Sequence, residues 1–160
     1  LRFFTVYGPR GRPDMAPYKF LNSILRNKKF TKYGDGNSLR DYTYIDDIVD
    51  GIIAALENKN NLKCEIFNLG NSSPVSLNRF IEYCEEVTGK KAKYDVIDNQ
   101  LGDVPITFAD IDKSKKLLGY NPKVGLNEGL KRTSKWMLDE LSNNKDNSNI
   151  IDNVMVNTNL

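Results

Sequence analysis

The residues best suited to chemistry in this sequence are arginines and carboxylates set in turn-rich stretches. "VYGPRGRPDM", Val6 to Met15, holds Arg10 and Arg12 among two prolines and two glycines. Ser and Gly would serve a passive linker. Two guanidiniums on a stiff loop suit an anion instead, because each offers a planar fork of N–H donors to carboxylate or phosphate oxygens. "GDGNSLRDYTYIDD" carries Arg40 out of a turn and into an extended run beside Asp41. "NQLGDV" places Asp103 after a glycine in a polar turn. Spacing leaves a plainer alternative open at each stretch: Arg40 can pair with Asp41 or Asp46, and Arg10 and Arg12 can be solvated surface charges.

Composition removes several other chemistries. The sequence has no histidine, which excludes Ser-His and Cys-His nucleophiles and any His-ligated metal. Cys64 and Cys84 are spaced unlike a CxxC pair or a zinc set, so both are expected to be buried thiols in a reducing cytosol. There is no P-loop, and "GDG" by itself is only a turn. A net charge of +2, from 23 basic and 21 acidic residues, provides no basic face for nucleic acid. With 160 residues, 39% hydrophobic and 28% charged, the chain suits one globular domain. No apolar run approaches the length of a membrane span and no secretory signal is visible, so a cytoplasmic setting is expected. Leu1 opens inside an apparent strand, and the expectation is a piece of a longer protein.

Hydrophobic periodicity supplies the elements that must hold these groups. "LRFFTV" reads as a buried strand leading into the arginine loop. Asp14 is placed to cap a helix with Pro17 in its first turn and Phe20, Leu21, Ile24 and Leu25 inward. "KFTKYG" is a strand closed by the "GDGN" turn, and "RDYTYI" is another. Asp46 or Asp47 then starts a helix with Ile45, Ile48, Val49, Ile52 and Leu56 on one face. "CEIFNLG" reads as a strand. Ser76 caps a helix that turns Leu77, Phe80, Ile81 and Cys84 inward and stops at Gly89. "AKYDVID" is a strand, Lys113 to Leu118 a short helix, and Leu126 to Leu141 a last helix burying Leu126, Leu130, Met137 and Leu141. Residues 143–160 are Asn-rich and aperiodic, and a disordered tail is expected there. The fold class is α/β, a small mixed sheet with helices.

Three stretches together resemble a known family. "LRFFTVYGPRGRPDMAPYKF", "YGDGNSLRDYTYIDDIVDGI" and "GDVPITFADIDKSKKLLGYNPKVGLNEGL" are similar to the C-terminal half of the extended short-chain dehydrogenase/reductases that act on nucleotide sugars. "RDYTYIDDIVDG" carries the likeness to the extended family, and "VYGPRGRPDM" narrows it to the UDP-glucuronate 4-epimerases. The likeness runs from Leu1 to about Leu141. It implies the substrate-binding portion of an extended Rossmann-type fold, residues 1–142, with 1–6 a strand of the cofactor-domain sheet. The GxxGxxG turn that binds NAD in this family, and its catalytic Tyr-x-x-x-Lys pair, are not in these residues. The resemblance therefore implies no catalytic residue here, NAD bound mainly by an N-terminal half, and a homodimer formed through that half.

The resemblance also assigns roles by position. Phe3 and Phe4 would lie near the nicotinamide. Thr5 and Arg12 would hold a sugar carboxylate. Asp14, Met15 and the "FTKY" strand, with Tyr33, would line the uridine pocket. Arg40 would grip the diphosphate, and Asp103 would accept hydrogen bonds from the ribose hydroxyls. Related UDP-galactose epimerases have an Arg three places before that Asp; this sequence has Gln100, which leaves Arg10 as a candidate for the second phosphate contact. The implied reaction is inversion at C4 of UDP-glucuronate through a 4-keto sugar. UDP-glucose 4-epimerase, 4,6-dehydratase and UDP-glucuronate decarboxylase are the neighbouring activities, and a non-catalytic nucleotide-sugar binder is the alternative from another class.

Overall fold

A computed structural model describes residues 1–58, 64–99 and 102–143, and among these it shows short strand pairs, most of them parallel, and five helices. The opening apolar run does not form one strand. It breaks at Phe4 into β1 (Arg2–Phe3) and β2 (Thr5–Tyr7), which face different partners. β1 pairs in parallel with β6 (Asn68–Leu69), and β2 pairs in parallel with β5 (Tyr42–Tyr44). The switch is visible in consecutive bonds: Phe4 N–H donates to the Leu69 carbonyl at 3.1 Å, and Thr5 N–H to the Asp41 carbonyl at 3.2 Å.

The "RDYTYI" run is interrupted in the same way. β4 (Leu39–Arg40) lies antiparallel to β7 (Val75–Ser76), and Asp41 separates it from β5. β3 (Lys29–Tyr33) and β8 (Lys93–Ile97) form the longest ladder, in parallel register from Lys29 opposite Lys93 to Tyr33 opposite Ile97. The class is α/β as expected, but in place of one small mixed sheet the described strands form four two-stranded sheets, three parallel and one antiparallel. The division arises because β1 and β2, and β4 and β5, change partners at Phe4 and Asp41. The "CEIFNLG" run is reduced to β6, and Cys64 is exposed rather than buried because it lies ahead of that strand, outside its sheet. Cys84 is buried as expected, and burial pushes its thiol well above the ordinary range.

The helices are α1 (Ala16–Leu25), α2 (Ile45–Leu56), α3 (Leu77–Thr88), α4 (Asp112–Leu118) and α5 (Leu126–Asn143). α3 has the termini its sequence announces. The Ser76 hydroxyl accepts from Arg79 N–H at 3.2 Å, and Gly89 leaves the helix in the left-handed conformation. α1 starts after Met15 with no side-chain cap, since Asp14 is engaged by Arg12 instead. α2 buries Ile48 and Asp47, but Val49 and Leu56 are exposed, contrary to the expected face. That helix packs against β2, β5 and α4, with Ile48 and Ile52 in one core with Val6, Leu69 and Ile111, while Val49 turns off this face and Leu56 is exposed as the last residue of the helix. α5 continues to Asn143, with Leu141 only half-buried; residues 144–160, the rest of the expected tail, lie outside the described residues, as does Gln100.

The β2–β5 pair divides two cores because successive strand residues face opposite sides. Tyr7, Tyr42 and Tyr44 face α1, α3 and α5, where they join Phe20, Phe80 and Leu130. On the other side Val6 joins Phe4, Ile48, Leu69, Ala109 and Ile111. α5 can approach Tyr7 closely only because residue 129 is glycine: a Cβ there would sit 2.1 Å from the phenol oxygen. Asp47 fixes the lead-in to α5, accepting from Lys123 N–H at 2.8 Å and Val124 N–H at 3.0 Å.

Candidate functional site

Two consecutive turns, each led by a proline, shape the opening loop. Gly11 N–H donates to the Gly8 carbonyl across Pro9 and Arg10, and Met15 N–H to the Arg12 carbonyl across Pro13 and Asp14, both at 3.2 Å. Proline at the second position pre-sets each turn. Arg10 stands at φ 59°, the left-handed region a non-glycine residue enters at a cost of about 1–2 kcal/mol. Gly8 is required where it stands, since a Cβ would come within 2.5 Å of the Ile45 side chain. The loop is thus pinned at both turns, and it passes between two clefts.

The first cleft, of about 340 Å³, is lined by Thr5, Asp14, Met15, Lys19, Phe20, Thr31, Tyr33, Arg40, Tyr42 and Asp103, with Ala16 and Pro17 from the first turn of α1. Its floor is apolar and aromatic, and its walls carry two cations and two carboxylates. The second, of about 450 Å³, is lined by Phe3 to Arg12, Met15 and Ile45. Thr5 and Met15 belong to both, so the clefts adjoin. Each lies within the range of ligand pockets, about 300–1,000 Å³. Every residue singled out from the sequence lines one or the other. Thr5, Asp14, Met15, Tyr33, Arg40 and Asp103 line the first, and Phe3, Phe4, Thr5, Arg10, Arg12 and Met15 line the second.

Arg40 takes neither partner that the sequence left open. Its Nη2 donates to the Asp103 carboxylate and its Nη1 to the Leu39 carbonyl at 2.8 Å, with the side chain largely covered. Asp41, in the break between β4 and β5, turns to other partners. It is fully buried, and its carboxylate accepts from Asn71 N–H at 3.1 Å, Ser72 N–H at 3.0 Å and Ala109 N–H at 2.9 Å. Asp41 is therefore the joint that holds the segments behind Arg40. Its backbone N–H meets the Thr107 hydroxyl at 3.2 Å, and Leu39 N–H meets the Pro105 carbonyl at 2.8 Å. These bonds bring residues 103–107 alongside β4, and so carry Asp103 to Arg40.

Arg12 and Asp14 form an ion pair across their turn. Nε donates to Oδ1 at 3.1 Å and Nη2 to Oδ2 at 2.5 Å. The Arg12 hydrogen bond holds the Asp14 carboxyl below its ordinary range, and the same bond raises the Arg12 guanidinium. Arg10 is exposed and makes no ion pair among the described residues. Burial pushes the Tyr42 phenol far up, so it stays neutral and is not poised as a base. Thr31 lines the first cleft from the "FTKY" strand, as the resemblance implies, and Phe20, Lys19 and Tyr42 line it without having been singled out for the site from the sequence. Phe20 reads as a core residue from its helical spacing and Tyr42 as part of a strand; both are buried in the core, and only the fold shows that each also lines the cleft.

Comparison with known proteins follows the same lines. Residues 1–70 match the model of the NAD dependent epimerase/dehydratase family. The chain is 55% identical over 139 residues to an uncharacterized protein of Methanocaldococcus jannaschii, covering 87% of this chain and 42% of that one. It is 48% identical over 137 residues to the UDP-glucuronate 4-epimerase of Thermodesulfobacterium geofontis, covering 85% of this chain and 42% of the relative. The crystal structure of the UDP-glucuronic acid 4-epimerase of Bacillus cereus, in complex with UDP-glucuronic acid and NAD, superposes with a TM-score of 0.83 at 40% identity, over 87% of this chain and 44% of that one. The chain thus spans less than half the length of these relatives.

Proposed function

Since the chain belongs to the NAD dependent epimerase/dehydratase family, as part of an extended Rossmann-type fold, we propose that it is the nucleotide-sugar-binding portion of a UDP-glucuronate 4-epimerase. The observation that carries the proposal is the adjacency of two arginines with different work. Arg40 stands in the first cleft over an aromatic floor, and Arg12 stands on a pinned turn where the second cleft meets it. A diphosphate suits Arg40, whose guanidinium can leave Asp103 for two phosphate oxygens and free that carboxylate to accept from ribose hydroxyls. Uracil and ribose fit against Met15, Phe20 and Tyr33. The sugar then extends past Thr5 to Arg12, where a C6 carboxylate meets the Thr5 hydroxyl and the guanidinium.

NAD fits these residues only at its edge. Phe3 is half exposed and Phe4 half-buried along the second cleft, an apolar face suited to a nicotinamide ring, while no turn among the described residues is built for a dinucleotide pyrophosphate. When bound, NAD supplies the acceptor and donor of hydride. The residues of this chain bind the sugar and orient it. A sugar oxidised at C4 and carboxylated at C5 is a β-keto acid, which loses carbon dioxide when the C5–C6 bond stands perpendicular to the carbonyl plane, so that its electrons pass into the C4 carbonyl as an enolate. Fixing the carboxylate between Thr5 and Arg12 opposes that alignment. The proposal includes a cytoplasmic homodimer paired outside residues 1–160, and no turnover by these residues by themselves.

The test is a substrate comparison on the protein that carries this chain. UDP-glucuronate should give UDP-galacturonate, with a higher kcat/KM than UDP-glucose has for its own 4-epimer. Arg12→Ala should reduce turnover of UDP-glucuronate far more than affinity for UDP, and mass spectrometry should find a UDP-pentose by-product. A parent enzyme that favours UDP-glucose, or equal losses for both sugars and for UDP, would overturn the assignment.

A further inference from the structure

Arg12 is three-quarters exposed, yet the structure does not leave it free to wander. Asp14 engages Nε and Nη2, which is the side edge of the guanidinium. Arginine has five N–H donors in one plane. The side-on fork uses one from Nε and one from Nη2, and it leaves the end edge, Nη1 and the second Nη2 proton, open. No other hydrogen bond of Arg12's side chain exists among the described residues. The backbone beneath is fixed as well, because the Arg12–Pro13–Asp14–Met15 turn closes on its own 3.2 Å bond. Asp14 lines the first cleft and Arg12 the second, so the pair bridges the point where the two adjoin.

Resting on the reading of Arg12 as the carboxylate reader, we propose that Asp14 is its positioning residue: it clamps the side edge of the guanidinium so that the end edge is presented to the sugar carboxylate. This differs from a role in lining the nucleotide pocket. A long exposed side chain otherwise loses rotamer freedom when it binds, and that cost weakens recognition. A clamp made in the free protein removes part of it beforehand. One guanidinium can accept two carboxylates on two edges, so substrate binding does not require Asp14 to leave.

The experiment uses the full-length protein with Asp14→Asn, Asp14→Glu, Arg12→Ala and the Arg12→Ala/Asp14→Asn double variant. The readout is the ratio of kcat/KM for UDP-glucuronate to that for UDP-glucose. Asp14→Asn should lower the ratio by about three- to fivefold, the scale of an exposed ion pair. Asp14→Glu, which keeps a carboxylate, should retain part of it. In the Arg12→Ala background, Asp14→Asn should not change the ratio further. A ratio that rises in Asp14→Asn would make Asp14 a competitor of the substrate. An unchanged ratio with weaker UDP binding would return it to the nucleotide pocket, and either result overturns the proposal. Should the parent fail to prefer UDP-glucuronate, the earlier reading falls and the clamp is judged separately, by NMR of the Arg12 Nε–H. That proton should be protected from exchange with water in the parent and unprotected in Asp14→Asn; equal exchange in both would refute the clamp.

Discussion

Replacing Asp41 by Asn should be among the most damaging single changes to the fold, although the two side chains have nearly the same shape. The carboxylate is fully buried and accepts from Asn71, Ser72 and Ala109 N–H, with Oδ1 taking the first and Oδ2 the other two. An Asn carbonyl in the Oδ2 place keeps two bonds but turns its NH2 against Asn71 N–H, donor to donor. Bonds to a charged acceptor contribute about 1.5–3 kcal/mol each and neutral ones about 0.5–1.5 kcal/mol. Weakening two and losing the third therefore costs several kcal/mol, from which relief of the buried charge subtracts. The net expectation is about 2–4 kcal/mol, or a Tm lower by about 5–15 °C at the usual 2–4 °C per kcal/mol for a chain of this size. Thermal unfolding followed by circular dichroism at neutral pH measures it. Asp95→Asn is the control, since Asp95 pairs with Lys29 on the surface and should change stability by no more than about 0.5 kcal/mol. Equal melting of the parent and Asp41→Asn, or an equal fall in both variants, would refute the reasoning.

Two other outcomes follow from single groups. Thr43 is buried in β5, and its hydroxyl has no hydrogen-bond partner among the described residues, so Thr43→Val should be neutral or stabilising by up to about 1 kcal/mol in a denaturant titration; a loss above about 2 kcal/mol would mean the hydroxyl is bonded. The Asp14 carboxyl is held below its ordinary 3.8 by Arg12, so the stability it contributes is present above that value and is lost as pH falls through the depressed one. An NMR titration of the Asp14 carboxyl should show the shift and its return towards 3.8 in Arg12→Ala; an identical titration in the two proteins would contradict the pairing.

The parts legible in the sequence were those encoded locally. Ser76 and Gly89 bound α3 because a cap and a left-handed exit depend on one residue each, and Phe80, Ile81 and Cys84 kept helical spacing between them. The two prolines and two glycines from Val6 to Met15 announced sharp turns, and the turns are there. What could not be read depends on partners far along the chain. "LRFFTV" carries no mark of the exchange from β6 to β5 at Phe4, because both neighbours are supplied by later segments. Asp14 looked like a helix cap, but a guanidinium two residues back outcompeted the α1 amides for it. Asp41 looked like a partner for Arg40. Asp41 instead sits in the break between β4 and β5 and accepts from the amides of Asn71, Ser72 and Ala109, and Arg40 met Asp103 through a loop that no spacing rule connects to it.

In the proposed function, the cleft over Phe20 and Tyr42 would bind a nucleoside diphosphate through Arg40. Calorimetry with UDP alone tests it without relying on turnover. The parent should bind UDP, Arg40→Ala should bind about ten- to a hundredfold more weakly for want of a charge-assisted phosphate contact, and Arg40→Lys should recover only part, since an ammonium cannot reproduce the two-oxygen fork. UDP binding by Arg40→Ala equal to that of the parent would contradict the claim and leave Arg40 as the structural partner of Asp103.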